Sequence, residues 1–296
     1  MKILRTPDDR FKDLIDFPFK PNYLDVDGLR IHYVDEGNND SEVILLMHGE
    51  PSWSFLYRFM IPPLIEAGFR VIAPDLVGFG RSDKPTEQTD HTYHNHVEWI
   101  AKWLQSLNLR NLTLFCQDWG SLIGLRVAIE NQDRFKRIVL ANGGLPTGEQ
   151  QMGEAFNNWR EFSRTATEFN IASIIQSGTI KKLSKKVMEG YEAPFPDDSY
   201  KAGARILPSL VPISIEDPEH EANKKAIELF KQWNKPFLTA FSDGDPITKG
   251  GERFWQKYVP GAKEQNHTTI KGAGHFLQED KGEELAQVII EFIAKN

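Results

Sequence analysis

An ionised carboxylate becomes a nucleophile when a sharp strand-to-helix turn projects it and small flanking residues relieve the crowded backbone. Cys116-Gln117-Asp118-Trp119-Gly120 has that form, following an apolar run and preceding a helical pattern that begins near Ser121. Unpaired N–H groups at a helix N-terminus favour an anion by up to ~2 kcal/mol, while burial in an apolar pocket opposes it. Cys116 fills the first small position and reads as packing. Alone, Asp118 would read as an ordinary helix N-cap; its companions change that. Asp245 follows a strand-like run and a glycine turn, and His275 closes Gly272-Ala273-Gly274-His275 after another such run. Nucleophile, acid and histidine therefore stand in the chain order of a catalytic triad. Asp243 competes for the acid position; Asp245 is preferred for its place in the turn before Pro246. His48-Gly49-Glu50-Pro51 ends a further apolar run, which would set the backbone N–H of Glu50 beside that of Trp119 as an oxyanion hole. Donors so placed are each worth roughly 2.7 to 4 kcal/mol in a transition state.

A hydroxyl nucleophile must lose a proton before it attacks, whereas an ionised aspartate can displace a leaving group at saturated carbon and form an ester. His275 would then take a proton from water, and the hydroxide would attack the ester carbonyl. Asp245 would orient the imidazole and stabilise its cation. The leaving group separates the possible reactions. An alkoxide from an epoxide needs a nearby acid, usually tyrosine; a halide needs only hydrogen-bond donors in a dry site.

Positioning these residues falls to a series of short apolar runs that end in polar or glycine-rich turns, the pattern of buried parallel strands. They are Ile31–Val34, Val43–Met47, Arg70–Ala73, Leu112–Cys116, Arg137–Ala141, Phe237–Phe241 and Thr268–Lys271. Helical stretches lie between or after them, among them Tyr93–Leu107, Ser121–Asn131 and Glu283–Ala294. The last has apolar residues at Leu285, Val288, Ile289 and Phe292, one helical face. Alternating strands and helices imply an α/β fold with a mostly parallel sheet covered on both faces. After Leu145-Pro146 the alternation stops until the run that follows Pro236, with helical character, two proline-rich turns and a charged helix over about 218–233. The expected organisation is a core over 1–145 and 215–296 with a helical cap inserted at 146–214. A second independent domain is the alternative, and the shortness of the segment argues for the cap.

The composition over 296 residues, 40% hydrophobic and 26% charged with a net charge of -7, is that of an ordinary globular protein. It argues against a polyanionic partner, and no basic run suggests nucleic-acid binding. One cysteine requires no oxidising compartment, and no run reaches the roughly 18 apolar residues of a membrane span. The N-terminal stretch, charged throughout, lacks the pattern of a signal peptide. A cytoplasmic protein without a membrane anchor is expected. His91, His94 and His96 lack the spacing of a helical metal pair and read as the polar start of a helix. Gly78-Phe79-Gly80 lacks the third glycine of a phosphate loop, and Lys181, Lys182, Lys185 and Lys186 read as a solvated face.

Three stretches carry a resemblance. His48-Gly49-Glu50-Pro51-Ser52-Trp53-Ser54-Phe55-Leu56-Tyr57-Arg58, the run from Pro74-Asp75-Leu76 through Gly80-Arg81-Ser82 to Pro85, and Gln117-Asp118-Trp119-Gly120 resemble haloalkane dehalogenases of the α/β-hydrolase fold. The likeness extends over nearly the whole chain and is nearest the subfamily with Glu after His-Gly and a tryptophan early in the cap. It implies Asp118 as nucleophile, His275 as base, Asp245 as acid, and Trp119 and Trp159 as indole donors to halide. The implied partners are a small halogenated aliphatic substrate, water and a halide ion, with no metal and no organic cofactor. Ser121 departs from the family's frequent glycine and is expected to touch no catalytic group. Two other functions fit the same fold. An epoxide hydrolase would need tyrosines such as Tyr191 and Tyr200 above the nucleophile, and a catalytically silent sensor would bind a small apolar ligand without turnover.

Overall fold

The computed structural model describes residues 1–296. Eight strands form the main sheet: β2 (Asn22–Val26), β3 (Leu29–Glu36), β4 (Val43–Met47), β5 (Arg70–Pro74), β7 (Leu112–Gln117), β8 (Phe135–Ala141), β9 (Phe237–Ser242) and β10 (Thr268–Ile270). Two short strands, β1 (Ile3–Leu4) and β6 (Lys84–Pro85), pair separately. The main sheet runs in the order β10-β9-β8-β7-β4-β5-β3-β2. All neighbours are parallel except β3, which is antiparallel to both β5 and β2. Strand β2 was not anticipated. Its signal was Asp27-Gly28, both at positive φ (54° and 80°), the two-residue turn that matches strand twist in a hairpin.

The central strands are buried on both faces, which is why β4 and β7 read as continuous apolar runs rather than alternating ones. Helices α1 (Ile61–Glu66), α2 (Tyr93–Ser106), α3 (Trp119–Glu130), α8 (His220–Phe230), α9 (Glu252–Tyr258) and α10 (Leu277–Lys295) cover the sheet. The chain leaves α-helical geometry at Lys281, so α10 is a short first turn joined to the longer helix that the apolar face predicts. Between β8 and β9 there is no strand. That stretch holds α4 (Glu154–Thr165), α5 (Ile171–Ser177), α6 (Lys185–Glu192) and α7 (Ala202–Leu210), followed by α8.

The histidine cluster needs a correction. His94 is exposed, but His91 and His96 are buried, stacked 5.4 Å apart with 19° between their rings, rather than a polar helix start. His91 Nε2 lies 3.3 Å from the Pro85 carbonyl and its Nδ1 3.2 Å from His96 Nε2, so both rings find partners inside. Burial holds both below the ordinary histidine pKa, as expected of neutral packing groups.

Candidate active site

Parallel pairing aligns the carboxyl ends of the central strands: Met47 lies opposite Cys116, Gln117 opposite Ala141, and Ile270 opposite Ser242. The residues that follow these ends therefore meet along one edge, where open α/β sheets place ligands. Asp118 stands between β7 and α3 at φ 51° and ψ −130°, a conformation non-glycine residues seldom adopt. Such strain persists only where the surroundings fix it, and here they do. A Cβ on Gly49 would come 2.4 Å from the Asp118 side chain, and one on Gly120 would come 2.0 Å from the Met47 carbonyl. The small residues at these positions let β4 and the elbow approach each other.

Asp118 Oδ1 accepts from the backbone N–H of Glu50 at 2.7 Å. No hydrogen bond joins Trp119 N to either carboxylate oxygen, so one of the two expected backbone donors is engaged. Asp118 Oδ2 lies 3.4 Å from His275 Nε2, and His275 Nδ1 lies 3.0 Å from Asp245 Oδ2. Asp245 also accepts from Ile247 N at 2.9 Å and from the Thr248 hydroxyl. Burial works against its charge, but the attraction and hydrogen bond of His275, with those donors, bring its pKa down to about 2. Asp243 points elsewhere and accepts from Gly272 N at 2.9 Å. Of the two competing aspartates, Asp245 is the one bonded to His275.

Burial also disfavours the His275 cation, yet Asp245 and Asp118 together outweigh that and push the imidazole up to about 10. Glu50 is different. Its side chain is 3% exposed, Oε1 has no partner, and burial followed by the nearby Asp118 charge raises its carboxyl well above the usual range. Only its backbone N–H engages Asp118 as a donor. The Cys116 thiol is buried, with burial raising its pKa, as suits a packing residue.

A cavity of about 790 Å³ opens above these groups. Asp118, Trp119 and His275 line it with Leu145, Phe156, Trp159, Ile174, Val211 and Phe276; Glu149, Lys224, Glu228, Lys231 and Lys249 are exposed charged residues on its wall. Trp119 packs edge-on to Tyr93 at 5.1 Å, and Trp159 clusters with Phe162 and Phe169, the three ring centroids 5.9–6.0 Å apart. Trp53 donates its indole N–H to Gly190 O, whereas neither Trp119 nor Trp159 donates to a protein acceptor. Both residues line the chamber. Tyr191 and Tyr200 do not line the cavity, and the Tyr191 hydroxyl is bound to Glu279 at 2.5 Å. The tyrosine acids that epoxide opening would need are not at this site.

Ser121 bonds no catalytic side chain, but it does hold the backbone of the elbow. Its hydroxyl donates toward the Asp118 carbonyl at 2.6 Å and accepts from Gly144 N at 2.9 Å, tying the elbow to the turn after β8. Two further residues escaped the sequence reading. Asn142 gives its amide N–H groups to Ser242 Oγ and to the Gly274 and His275 carbonyls, linking three strand ends. Gln117 contacts His275 from behind. The available signal was polar residues at the ends of wholly apolar strands, where burial demands a partner.

A family model for the alpha/beta hydrolase fold matches residues 42–282. A haloalkane dehalogenase of Psychrobacter cryohalolentis is 56% identical, with 100% of this chain and 99% of the relative aligned. One from Mycolicibacterium paratuberculosis is 52% identical, covering 98% of each. Among solved structures, the tetrameric haloalkane dehalogenase DpaA of Paraglaciecola agarilytica superposes with a TM-score of 0.91 at 36% identity over 97% of both chains.

Proposed function

This chain belongs to the haloalkane dehalogenases of the α/β-hydrolase fold, hydrolases that act on carbon–halogen bonds, and from that premise we propose how its residues divide the work. Asp118 attacks the halogen-bearing carbon of a small haloalkane, forms an alkyl ester and expels halide. The Glu50 N–H stays on Oδ1, so that oxygen becomes the ester carbonyl and Oδ2 the attacking atom. Trp119 and Trp159 donate their indole N–H groups to the departing halide; indole has one donor, no acceptor and a broad apolar body. His275 then removes a proton from water, and the hydroxide attacks Cγ of Asp118. Negative charge develops on Oδ1, where Glu50 N, with Trp119 N once the intermediate is tetrahedral, receives it. Collapse releases the alcohol, restores the carboxylate and sends one proton to solvent.

Ester formation also changes the base. Asp118 loses its charge, so part of what holds the proton on His275 disappears, and the imidazole becomes a better proton acceptor when water must be activated. Asp245 keeps Nδ1–H oriented and balances the cation that forms. Residues 146–214 act as a cap that closes the apolar chamber and keeps bulk water from the leaving group. A cytoplasmic setting is part of the proposal, supported by the single buried cysteine. No helix is long and apolar enough to cross a membrane.

The observation that carries this reading is a carboxylate at the strained elbow, 3.4 Å from a histidine that is itself anchored by a second carboxylate. His275→Phe should allow alkylation and stop hydrolysis, so mass spectrometry after exposure to a bromoalkane should find an alkyl adduct on Asp118. Bound substrate with no adduct would defeat the two-step scheme. Parallel incubation of the unaltered enzyme with an epoxide should yield no diol while the bromoalkane yields bromide.

A further inference from the structure

Gln117 is fully buried and does not line the cavity; it lies behind the histidine. Its Nε2 is 3.2 Å from the His275 carbonyl oxygen and 3.1 Å from Nε2 of the same residue's ring. A carbonyl can only accept, so the Gln117 atom beside it is the amide nitrogen. Gln278 Nε2, donating to Gln117 Oε1 at 3.3 Å, agrees with that orientation. The second N–H of the amide then points at the ring nitrogen, where only a lone pair can receive it. A neutral His275 accepting that N–H would carry its proton on Nδ1, toward Asp245, and leave Nε2 bare.

We propose that Gln117 is a positioning residue that holds His275 in the neutral, Nδ1-protonated form, so that Nε2 serves as the base during hydrolysis of the Asp118 ester. This rests on the roles given above to Asp118 and His275. The titratable groups facing the ring are all acidic: Asp245 after β9, Asp118 at the elbow and Glu50 after β4. The first two favour the imidazolium, while burial and then Asp118 raise the Glu50 carboxyl well above the usual range. Gly178, just past α5, packs against the His275 Cβ and adds no charge. Gln117 is thus a fixed dipole opposing cation formation at Nε2. When water gives up its proton there, Gln117 keeps its bond to the His275 carbonyl. The new N–H then faces the amide N–H₂, donor against donor, and that opposition helps return the proton.

Removing the amide should raise the pKa of His275 in the ester, so the acid limb of ester hydrolysis should move to higher pH. Single-turnover quenching with a short bromoalkane, following the Asp118 adduct by mass spectrometry across pH, reads the two steps separately. In Q117M and Q117L the adduct should still form, and the acid limb of its decay should shift upward by about one pH unit, the scale of one buried hydrogen bond. Slower decay at every pH with the limb unmoved would reduce Gln117 to packing and overturn the inference. An unaltered enzyme that turns over without any adduct would instead defeat the parent reading. A second measurement needs no change at Gln117: in D118N, whose side chain is neutral like the ester, ¹⁵N resonances of His275 should show Nδ1 protonated and Nε2 bare near neutral pH. A proton on Nε2 there would contradict the proposal.

Discussion

The two halves of the helical segment are attached to the sheet domain in opposite ways. The rear half, from α5 through α6 to Pro194, is bolted down by buried polar links. Arg58 reaches Glu279 at 2.5 and 2.7 Å, Tyr191 OH joins the same carboxylate, and Trp53 Nε1 donates to Gly190 O at 3.1 Å. Asp280 receives the backbone N–H groups of Ile180 and Lys181, while Thr6 and Arg10 reach the Pro194 and Ala193 carbonyls at 2.7 Å. The front half is different. The side-chain hydrogen bonds of α4 stay within the segment, the longest reach being Arg205 of α7 to the Ser163 and Ala166 carbonyls. Only Phe156 and Ser163 of α4 are buried. Just before α4, Glu149 meets Lys224 of α8 at 2.8 Å in an exposed pair.

This difference assigns stability to one half and adaptable access to the other. Local opening is easiest where buried contacts are few and the backbone is exposed, which describes α4 and not α6. The two proposed halide donors fall on opposite sides of that divide. Trp119 is fixed to the sheet through the elbow, and Trp159 rides on α4.

The sharpest way to break this comparison is at the rear. Glu279→Ala leaves the Arg58 guanidinium and the Tyr191 hydroxyl buried without their partner, and should cost about 3–5 kcal/mol in chemical denaturation. A loss below ~1 kcal/mol would mean the rear half is no anchor. At the site itself, Trp119→Phe should slow halide release by roughly 10²–10³-fold with little change in unfolding midpoint, measured by single-turnover halide release. Trp159→Phe, on the looser helix, should lower the rate by about tenfold and weaken bromide quenching of tryptophan fluorescence, an effect near 1.4 kcal/mol. Equal losses at the two tryptophans would remove the distinction between a fixed and a mobile donor. The smallest effect should come from Lys224→Met. Its pair with Glu149 is about half exposed, so stability should change by under ~1 kcal/mol; KM for bulky haloalkanes should shift while KM for short ones stays.

The same divide marks what could be read from the chain. Strand ends were legible because the central strands are buried on both faces and stop at glycine or proline. That spacing placed Asp118, Asp245 and His275 at one sheet edge, and the structure brings them within 3.4 Å of one another in sequence along the triad. The choice between Asp243 and Asp245 turned on a proline, and His275 is bonded to Asp245 while Asp243 bonds Gly272. Gln117, Ser121 and Asn142 were not legible in that way. Each is a polar residue whose role depends on partners from distant segments, such as Gly274 for Asn142. His91 and His96 misled for a related reason: polar residues at a helix start read as exposed, but that face turns inward. Nor could the anchoring of α6 be read, since Arg58, Tyr191 and Glu279 meet only in the folded chain.

The covalent role of Asp118 is tested most directly by one turnover in ¹⁸O-enriched water with enzyme in excess over a bromoalkane. The account predicts that the first alcohol carries oxygen from Asp118 and is unlabelled, while peptide mass analysis finds the heavy isotope in the Asp118 side chain. Labelled alcohol from that first turnover, with Asp118 unlabelled, would show that water attacks the substrate directly and would contradict it.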